Sequence, residues 1–460
     1  MKKRKLFALM LGLMLVLSLF VFAACDDEDT GGGDDEPDVE DVEDNGDEPE
    51  NGDEPDPEPD DEDNGDDPDA DAGDGDFGGE TITLWLDDDG YIEALEAALN
   101  ERFPDSTFEF ENEGGIYTVD RLILDGPAGI GADIILFPHD HISRAVNQDL
   151  LLPLGEDFQD AMNGRIPDDS IGTIRSDGNY FGVPLRRESL ALFYNRDLLE
   201  ANDFEVAESW EDIIEQAEEF NDPANSEFVI RWHAGDAFHS HFILTAHGFE
   251  VFGPNHDDPD AVNFDSPEAI AGLEFLASLT EILPVPAEDL NWDTVHGAFV
   301  AGEVPYIITG PWSISDIRDN GDFEWGVTTI PTINGNRPIT FGGSHIAAIS
   351  SETDYPDLSR AVLEFMMSDE GLQIMYDTVG AFPALIDSSI IAGISDDPFL
   401  LGVGAQAEYS HPMPSIAEMA HFWDPAETMY TAVWEDLLTP EEAAENAMEE
   451  YEAARALADN

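Results

Sequence analysis

The chain has 460 residues, with 104 Asp plus Glu against 17 Lys plus Arg, so its formal net charge is -87 with histidine neutral. This charge repels polyanions, and no basic stripe is present to bind phosphates, so we exclude a nucleic-acid-binding protein. Hydrophobic residues make up 42%, enough for folded cores, and the length suggests two or three domains. The single cysteine excludes an intrachain disulfide framework and cysteine-based metal centres.

The N-terminus has the pattern of a secreted bacterial lipoprotein. Four basic residues at 2–5 precede an apolar run at 6–24, and Cys25 follows two alanines directly. This arrangement resembles a lipobox, which predicts a signal peptide over 1–24, a lipid anchor on Cys25 and a location on the extracellular face of the cell membrane. An uncleaved membrane helix is the alternative, because the run approaches the ~20 residues that a span needs.

An acidic segment follows the cysteine. Residues 26–80 contain 30 Asp plus Glu and no Lys or Arg, with repeated Asn-Gly and Glu-Pro steps. Such a segment cannot bury a core, and self-repulsion extends it, so we predict a disordered tether over 25–80. Calcium capture is a lesser alternative, because EF-hand spacing is absent.

The remaining part, 81–460, is also strongly acidic. Removing the acids of the tether and the four bases of the leader leaves 74 acids and 13 bases, a charge of about -61, and all 13 bases are arginine. We expect such a body to work where salt screens its self-repulsion. The absence of lysine makes alkaline brine a plausible habitat, since arginine keeps its charge at higher pH.

Hydrophobic patterns predict alternating strands and helices along this part. A strand over 81–86 is followed by a helix over 91–103 whose apolar residues share one face. Further strands are predicted at 107–111, 132–137, 190–194, 306–309, 324–328 and 346–349. Helices are predicted to begin at Ser209, Ser266 and Thr439, where a capping hydroxyl precedes Pro or acids, and a helix over 369–379 ends at Gly380. The alternation predicts an α/β fold with largely parallel sheets covered by helices on both faces.

The sequence carries no strong catalytic or metal-binding motif. GxSxG, Walker and HExxH patterns do not occur. Histidines cluster at 139 and 141, and again at 239, 241 and 247, and an HxH pair can hold a transition metal. Because no third spacing fixes a geometry, we interpret them as ordinary polar residues and expect no metal and no cofactor. A metal-binding receptor and an exported glycoside hydrolase remain alternatives, since carboxylate pairs carry little information in so acidic a chain.

Aromatic residues in or beside loops rich in Gly, Pro or Asp are the clearest candidate binding residues. They are Trp292, Trp312 and Trp423, with Phe137 and Phe238. An aromatic ring stacks on the apolar face of a sugar, while neighbouring carboxylates accept hydrogen bonds from its hydroxyls. Each ring taken alone fits a hydrophobic core about equally well.

Seven segments occur in the order seen in maltose/maltodextrin-binding proteins, and together they make the chain resemble that family over essentially 81–460. The segments are 132–140, 188–197, 209–212, 308–312, 326–331, 368–371 and 413–423. The resemblance implies two α/β lobes, 81–187 with 344–395 and 188–343 with 396–460, that close on an oligosaccharide between them. It further implies delivery to the membrane subunits of an ABC permease and no chemistry on the sugar. We expect a monomer.

The resemblance also implies which residues bind the sugar. The acids are Asp88, Asp140, Glu188 and Asp236, with His141 beside them, and the rings are Phe137, Phe238, Trp292, Trp312 and Trp423. Asp89 stands where those binders carry a lysine, and His141 stands where they carry an arginine. Because two cationic donors are missing or weakened, the hydrogen-bond pattern must differ. A larger or differently linked oligosaccharide, including a cyclodextrin, stays open.

Overall fold

The computed structural model describes residues 77–176 and 178–458. The predicted signal peptide at 1–24, the lipid anchor on Cys25 and nearly all of the predicted tether at 25–80 lie outside the described residues. In the described part of the chain, no helix combines the length and the apolar character needed to cross a membrane.

The described residues form thirteen strands and sixteen α-helices. The strands are β1 (Thr81–Leu86), β2 (Thr107–Asn112), β3 (Ile134–Pro138), β4 (Arg175–Ser176), β5 (Asn179–Tyr180), β6 (Val183–Ser189), β7 (Ala191–Asn195), β8 (Ile230–Arg231), β9 (Tyr306–Thr309), β10 (Trp325–Thr328), β11 (Thr340–Ile349), β12 (Phe382–Pro383) and β13 (Ser410–Pro412). The helices are α1 (Asp89–Arg102), α2 (Thr118–Asp125), α3 (Ile142–Asn147), α4 (Glu156–Met162), α5 (Asp168–Thr173), α6 (Arg196–Ala201), α7 (Trp210–Phe220), α8 (Ala237–Thr245), α9 (Pro267–Leu279), α10 (Trp292–Val300), α11 (Ile314–Asn320), α12 (Pro356–Met367), α13 (Asp369–Val379), α14 (Pro398–Ala407), α15 (Trp423–Trp434) and α16 (Pro440–Ala458).

The larger sheet has seven strands in the order β12-β6-β11-β3-β1-β2, with β13 added beside β11. The strand β1 is parallel to β2 and β3. The strand β11 is parallel to β13 but antiparallel to β3 and β6, and β12 is antiparallel to β6. The predicted parallel arrangement therefore holds for β1, β2 and β3 but not for the whole sheet, because β11 enters between β3 and β6 in the opposite direction.

The smaller sheet has four strands in the order β10-β7-β9-β8. The strand β7 is antiparallel to β9 and β10, and β8 is parallel to β9. The chain passes from the larger to the smaller sheet through a single buried residue, Leu190, between β6 and β7. It returns where β10 is followed by β11. The predicted α/β class is confirmed, with two mixed sheets flanked by helices.

The helix α14 follows β12 of the larger sheet but packs on β10 of the smaller one. A Cβ added at Gly402 would lie 2.4 Å from the carbonyl oxygen of Val327 and 2.8 Å from its Cβ. Because these separations are shorter than van der Waals contact, the close packing of α14 on β10 requires glycine at this position.

The helix starts predicted at Ser209, Ser266 and Thr439 and the helix end predicted at Gly380 are confirmed, whereas the helix predicted over 91–103 spans Asp89–Arg102. Ser209 accepts a hydrogen bond from the backbone of Asp212 at 3.1 Å, and Asp212 accepts one from the backbone of Ser209 at 2.9 Å, which forms a capping box. Ser266 caps α9 by accepting from the backbone N–H of Ala269 at 3.2 Å, and Thr439 precedes α16. Gly380 ends α13 with a φ of 68°, a backbone conformation that favours glycine.

Three tryptophans form part of the hydrophobic core beside the smaller sheet. The rings of Trp210 and Trp232 meet edge-on with centroids 5.6 Å apart, and Trp232 meets Trp434 at 5.3 Å. All three are almost completely buried. Burial of such large rings stabilises this part of the molecule and leaves them no surface for a ligand.

Candidate functional site

Four charged side chains meet at one end of the larger sheet: Asp87 after β1, Arg186 and Glu188 on β6, and His345 on β11. Arg186 donates to both carboxylate oxygens of Asp87, at 3.2 and 2.6 Å. His345 lies between the two acids, with Nδ1 3.3 Å from Asp87 Oδ2 and Nε2 3.2 Å from Glu188 Oε2. Each side chain is 10% exposed or less. We call these four residues the charged cluster.

The pKa values in the charged cluster reflect neighbouring charges acting against burial. Burial opposes ionisation of Asp87, but Arg186 and His345 outweigh it, so the pKa of Asp87 falls well below its usual range. Burial also opposes ionisation of Glu188, but His345 and Arg186 outweigh this effect and lower the pKa of Glu188. Burial and Arg186 disfavour the charged form of His345, but Glu188 and Asp87 prevail and raise its pKa. Arg186 Nη2 also lies 2.9 Å from His345 Nδ1, so the imidazole contacts the arginine as well as both acids.

Asp140 and Trp423 are joined across a sequence separation of 283 residues. Trp423 Nε1 donates to Asp140 Oδ2 at 3.2 Å, and His141 Nε2 lies 3.7 Å from the same oxygen. Asp140 Oδ1 and His141 Nδ1 are buried, and neither has a hydrogen-bond partner among the described residues. Since buried polar atoms are nearly always hydrogen-bonded in proteins, these two atoms are suited to a polar ligand.

His139 holds the segment before Trp423 against β11. The backbone N–H of Ser344 donates to His139 Nδ1 at 3.2 Å, so Nε2 carries the proton and donates to the carbonyl of Met413 at 2.9 Å. Burial lowers the pKa of His139, although the charge of Asp140 acts in the opposite direction. Both ring nitrogens are therefore occupied by structural hydrogen bonds, and this histidine is not available as a metal ligand.

A line of aromatic rings runs from Trp423 to Trp312. Trp423 meets Phe341 with centroids 5.6 Å apart, and Phe341 lies 6.4 Å from Phe238. Phe238 in turn lies 6.3 Å from Trp312. Phe341 is buried, whereas the other three rings are only partly buried. These four residues, the aromatic line, bring together three of the rings predicted from the sequence.

Asp236 and His239 lie beside the aromatic line at the start of α8. Asp236 Oδ1 accepts hydrogen bonds from the backbone N–H of His239 at 2.8 Å and from its Nδ1 at 2.6 Å. The His239 ring meets Trp312 edge-on at 6.2 Å. Burial opposes ionisation of Asp236, but His239 and His233 outweigh it and lower the pKa of Asp236 to about 2.

Trp292 is the most exposed of the predicted rings, at 42%. It stacks on His296 with centroids 4.7 Å apart and an interplanar angle of 10°. His296 Nε2 lies 2.6 Å from Asp316 Oδ2, which fixes the imidazole beneath the indole. A small pocket is lined by both rings together with His233 and His239, so Trp292 lies close to the Asp236 region.

The strand β11 positions both groups of side chains. Phe341 of the aromatic line and His345 of the charged cluster lie four residues apart and therefore share a face of the strand. Gly343 lies between them, and a Cβ there would be 3.1 Å from Met413 Cε and 3.4 Å from Glu188 Cγ. The glycine leaves room for these side chains between the two groups.

Two sequence-predicted binding residues have other roles in the structure. Phe137 lies on β3 with no exposed surface, so its predicted stacking on a sugar is not supported and we assign it to the core. Asp88 caps α1 by accepting from the backbone of Tyr91 at 2.7 Å. The neighbouring Asp89 accepts from Asn112 at 2.7 Å. At the end of β1 it is therefore Asp87 that joins the other site residues.

Asp87, Arg186 and His345 were not among the binding residues predicted from the sequence. The sequence did contain one sign of Arg186. Residues 81–460 have only 13 basic residues outside histidine, and two of them are the adjacent Arg186 and Arg187. A buried arginine in such a chain requires an acidic partner, but the sequence alone does not identify it.

The family described as bacterial extracellular solute-binding protein matches residues 84–373. The maltooligosaccharide ABC transporter solute-binding lipoprotein of Streptococcus pneumoniae (strain ATCC BAA-255 / R6) is 26% identical over 365 residues, which are 76% of this chain and 82% of the relative. The maltodextrin-binding protein of Bacillus subtilis (strain 168) is 27% identical over 74% of this chain and 81% of the relative. The crystal structure of a cyclo/maltodextrin-binding protein complexed with maltotetraose, 27% identical, has a TM-score of 0.67 over 81% of this chain and 97% of that chain.

Proposed function

Because the chain belongs to the bacterial extracellular solute-binding protein family, we propose that it is the receptor of an ABC importer and binds malto-oligosaccharides. The observation that carries the proposal is Asp140, whose buried Oδ1 lacks a hydrogen-bond partner in the described chain and whose Oδ2 is held by Trp423. A carboxylate oxygen next to an indole face suits a sugar, which offers hydroxyl donors at its rim and an apolar ring face.

The aromatic line supplies the stacking surfaces and the acids supply the acceptors. Trp312, Phe238 and Trp423 are partly buried, so their rings are fixed in place yet keep accessible surface. Asp236 Oδ2 lies 3.9 Å from His233 Nδ1, too far for a hydrogen bond, and can accept from a sugar hydroxyl. Glu188 provides a further carboxylate in the charged cluster, and His141 Nδ1 a further polar atom. Trp292 extends the aromatic surface.

Ligand binding would act through two lobes that close on the sugar. We propose lobe I at 81–187 with 344–395 and lobe II at 188–343 with 396–460. In support, β1 to β3 lie in the larger sheet and β7 to β10 in the smaller one. Two of the three proposed boundaries fall inside β6 and β11, and the third follows β12. Because the chain changes sheets at Leu190, the hinge includes the ends of β6 and β11. A ligand that contacts both lobes only when they are closed shifts the population toward closure.

The test is calorimetric titration of residues 26–460, the chain without the predicted signal peptide and lipidated cysteine, with maltose, maltotriose, a longer maltodextrin and a cyclodextrin in molar salt. One-to-one saturable heat with an α-glucan supports the proposal, and the rank order of affinities gives the length of the site. Absence of heat with every sugar in folded protein would overturn the malto-oligosaccharide assignment.

Another oligosaccharide is the second candidate, cyclodextrin in particular. Asp89 and His141 stand where the resembled family carries cations, so two donors to the sugar are missing or weakened. Tighter binding of the cyclodextrin than of linear sugars would favour this candidate. Release of reducing ends from starch would instead indicate an exported glycoside hydrolase.

We also propose that the protein is a monomer, anchored by a lipid on Cys25 outside the cell membrane and adapted to salt. The lipobox-like sequence and the charge of the chain support this. Mass spectrometry of the cellular protein that finds an intact Met1 would contradict the anchor. Easier unfolding in molar salt than in dilute buffer would contradict the adaptation.

A further inference from the structure

Three side chains with metal-binding atoms converge beside Trp312, spaced three residues apart as His-x-x-Asp-x-x-His. His233 follows β8, Asp236 caps α8, and His239 lies in its first turn. One ring nitrogen of each histidine and one carboxylate oxygen of Asp236 all lie within 4.8 Å of one another. Asp236 is in the middle, with Oδ1 2.6 Å from His239 Nδ1 and Oδ2 3.9 Å from His233 Nδ1.

From this geometry we propose that His233, Asp236 and His239 form a binding site for a divalent first-row transition metal ion such as Zn²⁺. Two imidazole nitrogens and one carboxylate oxygen are donors that such ions prefer, and three protein donors leave a coordination position for water or another ligand. Hard cations such as Mg²⁺ and Ca²⁺ prefer oxygen donors and are disfavoured here.

The required adjustment of the three side chains is small. Metal–ligand distances of about 2.0–2.2 Å place two ligand atoms about 3–3.5 Å apart, so no separation within the 4.8 Å limit needs to shorten by more than about 1.5 Å. His233 and Asp236 are 28% and 27% exposed, which leaves room for side-chain rotation and a path for the ion. His239 is 12% exposed and held against Asp236, so it provides the fixed side of the site.

The other histidines near the site do not offer comparable sets of ligands. His139 uses both ring nitrogens in structural hydrogen bonds. His241 stacks on Phe341 with centroids 3.6 Å apart and an interplanar angle of 7°. His247 Nδ1 lies 2.9 Å from the carbonyl oxygen of Ile243 in its own helix. Of the histidines in the HxH pairs noted in the sequence, only His239 belongs to the proposed site, and the cluster that includes His233 was missed.

The experiment is calorimetric titration of the metal-stripped, tag-free chain of residues 26–460 with ZnCl₂, in molar NaCl and an excess of MgCl₂. The Mg²⁺ occupies the carboxylates of residues 26–80, which would otherwise contribute weak binding. We expect one saturable Zn²⁺ site. We expect its affinity to fall at least tenfold in His233→Gln and in His239→Gln, and to be unchanged in His247→Gln.

Asp236→Asn is a further variant, because the amide oxygen can still cap α8 while the charge is lost. Visible absorption of the Co²⁺-loaded protein gives a second readout, and its bands should disappear in the double variant His233→Gln/His239→Gln. Equal Zn²⁺ affinity in the parent and the double variant, or no saturable binding by folded parent protein, would overturn the metal site. No sugar is present in these measurements, so their failure would leave the proposed receptor function untouched.

Discussion

The two sheets supply different chemistry to the candidate site. The end of the larger sheet carries the charged cluster, in which two acids, an arginine and a histidine neutralise one another. Trp312 follows β9 of the smaller sheet and meets Phe238, and both rings are partly buried. The difference suggests a division of roles: charge fixes the geometry on one side, and apolar stacking provides most of the affinity on the other. Each variant below tests one side of this division.

Replacing Arg186 with methionine should have the largest effect, a loss of about 3–5 kcal/mol in the free energy of unfolding. In this variant Asp87 stays buried but has lost its arginine partner, and an uncompensated buried charge is strongly destabilising. Chemical denaturation in molar salt measures the loss. Arg187→Met is the matched control, since Arg187 and its partner Asp169 have side chains 32% and 47% exposed, and such pairs contribute about 0–1 kcal/mol. Equal losses in the two variants would contradict a special role of the charged cluster.

Replacing His345 with glutamine should lower the free energy of unfolding by about 1–3 kcal/mol below pH 6.5, because Glu188 loses its partner. The pKa of His345 is raised in the folded protein, so its contribution is complete below the ordinary pKa of about 6.5 and is lost as pH rises through the raised value. The groups that act on it are Asp87, Arg186, Glu188 and, through space, His139.

Denaturation of both proteins between about pH 6 and 9 measures this effect. The difference in free energy of unfolding between the parent protein and His345→Gln should become smaller toward alkaline pH. A difference that is constant over the whole range would show that His345 acts through packing and not through its charge.

Truncating Trp312 to alanine should weaken malto-oligosaccharide binding by more than about 1 kcal/mol, with little change in the charged cluster. The loss of binding free energy should be similar in dilute and molar salt, because salt does not screen stacking. Calorimetric titration gives both values. Tyr409→Ala is the control, since this aromatic side chain is 38% exposed and lies outside the proposed site. Unchanged affinity in Trp312→Ala would remove the stacking role of the aromatic line.

The smallest expected effect concerns the link between the two sides. Trp423→Phe keeps an aromatic ring but removes the Nε1 donor to Asp140, which should cost about 1 kcal/mol in the free energy of unfolding without ligand. Trp292→Phe is the comparison, because its ring stacks on His296 at the surface and should affect stability less. Equal stability of Trp423→Phe and the parent protein would show that the hydrogen bond adds nothing without ligand.

The sequence predicted the elements whose signals are local. The strand at β1, the capping box at Ser209 and the glycine stop at Gly380 were all found, because each depends on residues close together in the chain. The strand β6 and the first half of β11 were missed, since charged residues in one and glycines in the other are poor strand formers. Pairing with neighbouring strands overrides that local preference.

The candidate site was only partly predictable for the same reason. Trp312, Phe238 and Trp423 were identified by their type, their surroundings and the resemblance, and the structure connects them through Phe341. The complete burial of Phe137 could not be predicted from the sequence, because the last residue of a short apolar strand can lie either in the core or at the surface. The contacts of His345 with Asp87 after β1 and Glu188 on β6 depend on strand order, which local patterns do not determine.

The link between β6 and β7 limits how the two sheets can move. Leu190 contributes one residue, hence two soft backbone dihedrals, and its side chain is fully buried. If the two lobes close as proposed above, the sheets change their orientation about Leu190 while their separation at this point stays fixed. Any closure would displace atoms in proportion to their distance from it. A pair of spin labels far from Leu190, with one label on an outer helix of each sheet, would therefore show the largest change in label-to-label distance.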